Sequence, residues 1–559
     1  MTENSPSPRT PTAVDAIAEE WVDTLGRLSP GIRTYLGLPG DQTELDDVSP
    51  AGLAELDAER TAVLARLAKA TPADDVDRVT IAAMRERIGL ESELYDAGEQ
   101  FADLNVIASP AQSTRDIFDL MSTETSQDWE VVAARMGNVP HALEGWIESL
   151  REGVGTGIVP AQRQVEAVAK QADELADIDT SFWSSLATRG AEAHPELAAA
   201  LTEGAEKARR GYAELAEYLR GELVHAAPER DGVGRERYQL HSRQFLGATV
   251  DLDETYEWGL QELARVVAEQ EEAAAELYGP GTTPEDAMAR LDADPERQLH
   301  GTDALQRWMQ ETADTAIAAL EGAQFDIPGP VRTLEARIAP TQSGGIYYTG
   351  PTDDFSRPGR MWWSVPPGVT EFGTWREKTT VYHEGVPGHH LQVAQTVYRR
   401  ELLNRWRRLV SWVSGHGEGW ALYAERLMAD LGFLDDPADR LGMLDGQRLR
   451  AARVVLDIGV HLGKPAPEHL GGGTWDAEKA KTFLFANVNM NEGFVLFELD
   501  RYLGWPGQAP SYKIGQRLWE QIRDEAAARE GDAFDLRAFH RRALDIGSVG
   551  LDTLAEAMR

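Results

Sequence analysis

Histidines bracket a glutamate near the middle of the chain, in the run His383-Glu384-Gly385-Val386-Pro387-Gly388-His389-His390. A second acidic cluster, from Glu418 to Glu425, follows about one helix later. Hydrolytic zinc sites use two imidazoles and one carboxylate as ligands and keep one coordination position for water. A further glutamate near the metal then acts as general base. The sequence offers all of these groups and therefore predicts a zinc hydrolase centre.

The spacing of the histidines departs from the usual zinc helix. In the pattern His-Glu-x-x-His the two ligands lie at i and i+4 on one helical face, but here that position is Pro387. Proline lacks the N–H that would bond to the carbonyl of His383, and its ring crowds that turn, so the helix must kink or bulge. In a straight helix neither His389 nor His390 would meet His383. We therefore expect a bulge at residues 386–388 that brings His389, or else His390, back to the metal.

The motifs around this run resemble a known family. The octet continues into Leu391-Gln392 and is followed by Glu418-Gly419-Trp420-Ala421-Leu422-Tyr423-Ala424-Glu425. Both stretches are similar to the bacterial domain-of-unknown-function family 885 (DUF885), which is placed among the gluzincin-like metallopeptidases. Further matching stretches lie at residues 453–461 and 500–515. The resemblance covers most of the chain, best from Ser343 to the end, and it implies hydrolysis more than any particular substrate.

The resemblance also implies a ligand set for one Zn²⁺ per chain. The family pattern His-Glu-x-x-Pro-Gly-His maps the first ligand to His383, the general base to Glu384 and the second ligand to His389. By similarity to gluzincins, the third ligand is Glu418. Glu425, on the same helical face, is then expected to hold the free N–H of a ligand histidine.

Two other histidines, His416 and His461, are candidates for a role at the centre. His416 competes as a nearby ligand, although its place between two glycines favours an exposed turn residue. His461 shares a helical stripe with Arg453 and Asp457, which are spaced four apart. By the family match His461 or Arg453 is expected to steady the oxyanion or orient Glu418, and the alternative is an internal ion-pair ladder.

A loop near the C-terminal end carries further candidates. Tyr512 is expected to donate a hydrogen bond to the tetrahedral intermediate, and packing into the core is the alternative. Arg501 or Lys513 is expected to hold a substrate C-terminal carboxylate, because a cation suits that group.

The fold class follows from periodicity and from the resemblance. Apolar residues on three- and four-residue spacing predict successive helices from Ala13 to Leu223. Aromatic-rich strands are predicted at residues 339–348 and 361–365. The resemblance implies a mainly α architecture like that of neurolysin and angiotensin-converting enzyme, with a small β-sheet beside the zinc-binding helix. It assigns residues 361–365 as an edge strand that pairs with substrate, while packing of Trp362 and Trp363 in the core is the alternative.

Local signals set the expected boundaries. Thr374-Trp375-Arg376-Glu377 matches a capping box and predicts a helix start at Thr374. Helices are also expected at 402–413, 437–462 and 475–502, the last with a kink near Asn489. A glycine- and charge-rich patch, residues 228–236, divides an N-terminal helical region (1–230) from a zinc-binding region (231–559), unless the two form one domain.

Composition limits the partners. The chain has 93 acidic and 55 basic residues and a formal net charge of −38, which argues against nucleic acid and anionic membrane partners. It has no cysteine, so thiolate ligands and disulfides are excluded. No apolar run is long enough for a membrane span, and the polar first residues argue against a secretory signal. We therefore expect a cytoplasmic protein.

These observations lead to one functional hypothesis. The chain is predicted to be a zinc-dependent hydrolase that cleaves amide bonds of short peptides, of carboxypeptidase or oligopeptidase type, with Glu384 as general base for a metal-activated water. One alternative is a zinc amidohydrolase acting on a specialised non-peptide amide. Another is a non-catalytic metal-stabilised scaffold, which would need a closed four-ligand site. The sequence leaves the oligomeric state open.

Overall fold

A computed structural model describes residues 9–340 and 345–559 of the chain, and these residues are mainly α-helical. The predicted succession of helices from Ala13 onward is confirmed. Ser29 ends the first helix and caps the second, where Pro30 occupies the first turn. The helices before the sheet are α1 (Ala13–Leu28), α2 (Pro30–Leu36), α3 (Pro50–Leu67), α4 (Asp75–Asp96), α5 (Pro110–Asp116), α6 (Ser126–Thr156), α7 (Gln162–Ala176), α8 (Phe182–Ala193), α9 (Ala198–Tyr218), α10 (Val224–Ala226), α11 (Arg235–Leu246), α12 (Leu252–Tyr278), α13 (Pro284–Asp292) and α14 (Thr302–Leu320).

The remaining elements are short strands followed by a second set of helices. The strands are β1 (Gln298–His300), β2 (Leu334–Ile338), β3 (Ile346–Thr349), β4 (Gly359–Trp363) and β5 (Glu371–Gly373). The helices are α15 (Thr374–Glu384), α16 (His389–Tyr398), α17 (Ser414–Asp430), α18 (Pro437–Leu462), α19 (Ala477–Asn487), α20 (Glu492–Gly504), α21 (Ser511–Glu530), α22 (Leu536–Ile546) and α23 (Leu551–Ala557). The expected helix at 437–462 is confirmed with the same bounds, and the expected break near Asn489 separates α19 from α20.

Buried apolar side chains form two separate cores. The smaller core lies within residues 104–223, where α6 packs along α9. The larger core takes helices α1, α3 and α4 from the start of the chain together with α11 to α23. Within it α12 packs along α18, and α17 packs along α21. A domain boundary at residue 230 stays a prediction, since the first helices share the core of the later region.

The three-stranded sheet has the order β2–β4–β3, with β2 parallel and β3 antiparallel to β4. The strand expected at residues 361–365 is therefore the central one, because Met361 has partners on both sides, Ala336 and Tyr348. The prediction of an edge strand at this segment was wrong, since its backbone groups are already used within the sheet. Part of the other predicted strand, residues 341–344, lies outside the described residues.

Helix α15 begins at Thr374 as predicted, but not through a capping box. The Thr374 hydroxyl donates to the carbonyl oxygen of Arg297 (3.2 Å), and no side chain caps the helix. The Glu377 carboxylate instead accepts a hydrogen bond from the indole N–H of Trp363 (3.1 Å). The start of α15 is fixed by β5, which pairs with β1 and runs directly into the helix.

One expected helix is much shorter than predicted. Of residues 402–413, only Trp406–Val410 form a helical segment, and it has the wider i→i+5 pattern of a π-helix. Arginines of this stretch bond to distant parts of the chain rather than to solvent. Arg407 is fully buried and donates to Thr80, while Arg405 pairs with Glu19. Tertiary contacts therefore override the local helical pattern.

Candidate metal centre

The candidate centre lies where α15 ends and α16 begins. His383 and Glu384 are the last residues of α15, and His389 is the first residue of α16. Between them the backbone leaves the helix, as the proline at position 387 predicts. The N–H of Gly388 donates to the carbonyl oxygen of Tyr382 (3.0 Å), which folds the turn back on α15. The rings of His383 and His389 consequently lie 4.8 Å apart at an angle of 86°.

A carboxylate from α17, that of Glu418, lies beside both histidines. The Oε2 atom of Glu418 lies 3.3 Å from Nε2 of His383 and 3.4 Å from Nε2 of His389. This oxygen is buried and accepts no hydrogen bond from the described residues. Ligand atoms around a tetrahedral zinc ion, bound at about 2.0–2.1 Å, lie roughly 3.3–3.4 Å from one another. The two distances from Glu418 are therefore those expected between ligand atoms of one tetrahedral metal ion, and the donor types are ones that zinc accepts.

Glu384 lies next to the same histidines. His383, Glu384 and His389 each offer a donor atom within 4.8 Å of the others, and all three residues are buried. Glu384 is thus a second carboxylate near the pair, at a looser spacing than Glu418. An arrangement with one carboxylate touching both imidazoles and another slightly further away matches a ligand and a general base.

Glu425 holds His383 from the side away from Glu418. Its Oε1 lies 2.7 Å from Nδ1 of His383, and its Oε2 accepts a hydrogen bond from the hydroxyl of Thr379 (2.8 Å). A carboxylate on Nδ1 favours a proton on that nitrogen and leaves Nε2 free as a donor atom for a metal. Glu425 therefore has the position expected for a residue that orients a ligand histidine.

The charges of the centre shift each other's pKa values. Burial lowers the pKa of His383, but the nearby carboxylates of Glu418 and Glu425 outweigh it and raise the value to about 10. Burial also opposes ionisation of Glu418, yet the positive charge of the neighbouring histidines holds its pKa below the usual range. Burial raises the pKa of Glu384. In the protein without a metal ion, His383 and Glu418 thus stabilise each other as charged groups.

The other two nearby imidazoles are engaged elsewhere. Nδ1 of His390 lies 3.0 Å from the hydroxyl of Tyr348, and its Nε2 lies 2.7 Å from the carbonyl oxygen of Val331. His416 is buried rather than exposed, so that interpretation was wrong. Its Nδ1 lies 3.1 Å from the side-chain amide of Gln392. A closed structural site would need a fourth ligand beside Glu418, and neither of these histidines is positioned to be one.

The predicted stripe on α18 does not form a ladder of ion pairs along the helix. Arg453 pairs with Glu498 (2.9 Å), and Asp457 accepts from the hydroxyl of Tyr238 (2.6 Å). Nε2 of His461 lies 3.0 Å from the carbonyl oxygen of Tyr502, and its ring stacks on that of Tyr238. Each side chain of the stripe therefore has its own partner, and a role for His461 in catalysis stays a prediction.

The three candidates around the C-terminal loop, Tyr512, Arg501 and Lys513, lie in different surroundings. Tyr512 follows Ser511, whose hydroxyl lies 2.9 Å from that of Ser414 in the helix that carries Glu418. Burial raises the pKa of Tyr512 to about 12. Arg501 lies near Glu498, with Nη1 of the guanidinium 3.4 Å from Oε1 of the carboxylate. Lys513 points away, because its ammonium donates to Gln447 (2.5 Å) and Gln516 (3.0 Å) and pairs with Glu262 (2.8 Å).

Two residues of the centre were missed in the sequence. The indole N–H of Trp420 donates to the carbonyl oxygen of Pro387 (2.8 Å) and so ties α17 to the turn between the histidines. Its place inside the Glu418–Glu425 motif was the available signal. Arg450 is the other, since it lies on α18, which packs against α15, and its Nε is buried without an acceptor among the described residues. It precedes Arg453 by about one helical turn and so belongs to the same stripe.

One protein-family model matches almost the whole chain. A family model described as "Bacterial protein of unknown function (DUF885)" matches residues 30–558. The chain belongs to the DUF885 family. The motif resemblance is thus confirmed, while the relation of DUF885 to gluzincins stays a prediction. No curated protein matches this DUF885 chain.

Solved structures share the fold of this DUF885 chain. A crystal structure from Colwellia psychrerythraea has a TM-score of 0.84 and 21% identity over 98% of each chain. A structure from Shewanella oneidensis has a TM-score of 0.75 and 17% identity over 98% of this chain and 100% of that one. Both are described as a "putative lipoprotein", the second of unknown function. At these identities the likeness shows the fold alone.

A third structure, Pyrococcus furiosus carboxypeptidase in an apo-Mg form, aligns over 98% of this chain and 97% of that one. Its TM-score of 0.42 and identity of 13% carry no argument about activity. Among the helices of the described residues, none combines the length and apolar character that crossing a bilayer requires. The cytoplasmic location of this DUF885 chain stays a prediction, since two relatives carry a lipoprotein description.

Proposed function

We propose that this protein is a zinc-dependent hydrolase that cleaves the amide bonds of short peptides. The observation that carries the proposal is the shared position of one Glu418 oxygen, 3.3 and 3.4 Å from the Nε2 atoms of the two histidines. Two nitrogens and one oxygen at this spacing are a donor set typical of catalytic zinc sites. A buried second carboxylate, Glu384, beside the same histidines supports a hydrolytic rather than a structural use.

His383, His389 and Glu418 would hold the zinc ion. When bound, zinc would supply Lewis acidity that polarises the scissile carbonyl and makes a water molecule easier to deprotonate. Glu425 keeps His383 in the orientation that turns Nε2 toward Glu418, through its 2.7 Å contact with Nδ1. The hydrogen bond from Trp420 to the carbonyl of Pro387 keeps the turn closed, so His389 stays beside His383.

The proton transfer is assigned to Glu384. Its carboxylate accepts the proton of the attacking water and afterwards delivers it to the amine nitrogen that leaves. Burial of Glu384 restricts bulk water around this proton and keeps it close to the reacting atoms. Tyr512 is assigned as a hydrogen-bond donor to the tetrahedral oxygen, and its neutral hydroxyl suits that role because its pKa is raised to about 12. His461 is proposed to act only indirectly, through the 3.0 Å contact of its Nε2 with the backbone carbonyl oxygen of Tyr502.

The test is the replacement Glu384→Gln. We expect an unchanged zinc content and a loss of kcat by about 10²–10⁴-fold, because a positioned general base contributes that factor. Metal content is measured by mass spectrometry of the purified protein, and turnover with a library of dipeptides, tripeptides and acylated amines. Glu371→Gln, at an exposed glutamate of β5, is the matched control and should keep full activity.

Three results would contradict parts of the proposal. Full activity in Glu384→Gln would remove that residue as the base. A purified enzyme that holds no divalent ion and is indifferent to chelator would remove the metal. Cleavage of acylated amines without any cleavage of peptides would replace the peptidase by an amidohydrolase of a specialised metabolite.

A further inference from the structure

Three arginines are here called the arginine cluster: Arg450 and Arg453, about one helical turn apart on α18, and Arg501 of α20. The guanidinium carbon of Arg453 lies 5.0 Å from the centre of the Tyr512 ring. Arg453 and Arg501 converge on the same carboxylate, that of Glu498, at 2.9 and 3.4 Å. The cluster is therefore a compact set of positive charges next to a proposed catalytic tyrosine.

The arginine cluster has more donors than the protein uses. Glu498 is its one acidic ion-pair partner within residues 9–340 and 345–559. Arg501 keeps Nε and Nη2 buried without an acceptor in that part of the chain. Arg450 makes no ion pair there; its Nη1 donates to the carbonyl oxygen of Gly446 in its own helix (3.1 Å), and its Nε is buried without an acceptor. Two guanidinium groups thus retain unused hydrogen-bonding capacity.

Helix packing connects the cluster with the metal centre. Ser511, next to Tyr512, begins α21, which packs along α17, and its hydroxyl lies 2.9 Å from that of Ser414, about one helical turn before Glu418. α18, which carries Arg450 and Arg453, packs against α15, the helix that ends at His383 and Glu384. An anion held by the cluster would therefore be close to the reacting atoms.

The local excess of cations contrasts with the rest of the molecule. The chain has 93 acidic and 55 basic residues, so acidic partners for arginine are plentiful elsewhere. A partly buried guanidinium without an acceptor is costly, and it is stabilised when a ligand brings an anion. Among anions, a carboxylate matches the fork of an arginine with two parallel hydrogen bonds. Each unmodified linear peptide carries such a group at its C-terminal end.

We propose that Arg450 and Arg501 bind the free C-terminal carboxylate of the substrate, which makes the enzyme a carboxypeptidase. The inference rests on the proposed function, because it places the carboxylate relative to the same metal centre. Anchoring the terminal carboxylate beside Tyr512 sets the last peptide bond at His383, His389 and Glu418. Lys513 does not contribute, since Glu262, Gln447 and Gln516 already occupy its ammonium.

The experiment compares N-acetylated tripeptides that end in a free carboxylate with the same peptides ending in a carboxamide. The zinc-loaded wild-type enzyme should cleave the free acids with kcat/KM about 10- to 100-fold higher, the factor expected for hydrogen bonds to a charged group. Arg450→Met and Arg501→Met should lose this preference through a higher KM for the acids. Their kcat/KM for the amides should fall much less than that for the acids, so that the ratio of the two approaches one.

A binding measurement removes dependence on turnover. In a Glu384→Gln background, calorimetry should show tighter binding of the free acid than of the amide, and Arg450→Met in that background should abolish the difference. Arg450→Lys keeps the charge but loses the fork, and it should restore part of the preference. Arg440→Met, at a partly exposed arginine of α18 that pairs with Glu276, is the matched control and should behave as wild type.

The outcomes separate the two proposals. A wild-type enzyme that cleaves acids and amides equally keeps the proposed function and overturns the carboxylate anchor. A preference that survives in both Arg450→Met and Arg501→Met overturns it as well. If the zinc-loaded wild-type enzyme cleaves neither form, the proposed function fails and the anchor fails with it.

Discussion

His383 is held from two sides, and this determines which of its nitrogens is available. Glu425 takes Nδ1 at 2.7 Å, so Nε2 is left to face Glu418 at 3.3 Å. His390 shows the opposite case, because Tyr348 and Val331 contact both of its ring nitrogens. At the scale of single residues, hydrogen-bond partners therefore distinguish a candidate ligand histidine from a structural one.

This difference gives a prediction for the two adjacent histidines. His389→Ala should lose bound zinc, because it removes one of the three converging donor atoms. His390→Gln should keep its zinc but unfold at a lower temperature, because it disturbs the contacts with Tyr348 and Val331. Zinc content after dialysis and thermal unfolding measure the two effects. Zinc lost from His390→Gln and kept in His389→Ala would reverse the ligand assignment.

At the scale of elements, the decisive feature is the junction of α15 and α16. A continuous helix would separate His383 and His389, but the turn at 385–388 brings their rings to 4.8 Å. Gly388 permits this turn, since a Cβ at its position would overlap the carbonyl oxygens of Tyr382 and His383. The junction is then fixed from α17 by the indole of Trp420. Backbone geometry and a distant side chain thus build the centre together.

Gly388→Ala should therefore destabilise the fold and the centre at once. We expect a loss of about 1–3 kcal/mol, typical of overpacking, and a lower affinity for zinc because the two histidines are pushed apart. Denaturant unfolding and a zinc titration measure these effects. Gly155→Ala is the matched control, since no atom lies within 4 Å of a Cβ at that helical position. Equal stability and zinc affinity in both variants would show that the junction tolerates a side chain.

At the scale of the whole molecule, the larger core joins the start and the end of the chain around the centre. α1, α3 and α4 share this core with α11 to α23. His540 of α22 is one of its buried connections. Its ring stacks on Phe325 at 4.6 Å, and its Nε2 lies 2.8 Å from the hydroxyl of Tyr423 in α17. The helix that carries Glu418 is therefore linked to the C-terminal helices by a titratable group.

This link predicts a pH dependence of stability. Burial lowers the pKa of His540 to about 4, against about 6.5 in the unfolded chain. As the pH falls from about 6.5 to 4, the unfolded state takes up a proton that the folded state does not, so stability falls by up to roughly 3 kcal/mol. His540→Gln lacks this titration.

The free energy of unfolding of wild type and His540→Gln should be compared between pH 7.5 and 4.5. Other groups titrate in both proteins, so only the difference between them reports on His540. Wild type should lose stability relative to the variant as the pH falls. A constant difference over this range would show that His540 is not kept neutral by burial.

Much of the site could be predicted because it depends on local chemistry. The residue types at 383, 384, 389 and 418 supply a candidate donor set and a candidate base, and the bounds of α18 follow from local patterns. Other expectations failed where long-range contacts decide. Glu377 bonds to Trp363 rather than capping its helix, and Met361 lies in a central strand because β2 and β3 flank it.

The sequence by itself determined the candidate donor residues, the helical composition and the interruption at Pro387, since proline removes a helical hydrogen bond in any context. Only the tertiary structure decided which of two adjacent histidines meets Glu418 and which arginines lack an acidic partner. The physical reason is that these outcomes depend on groups far away in the chain, such as Val331 for His390 and Glu498 for Arg453. Such contacts form only when the cores pack, and spacing along the sequence does not encode them.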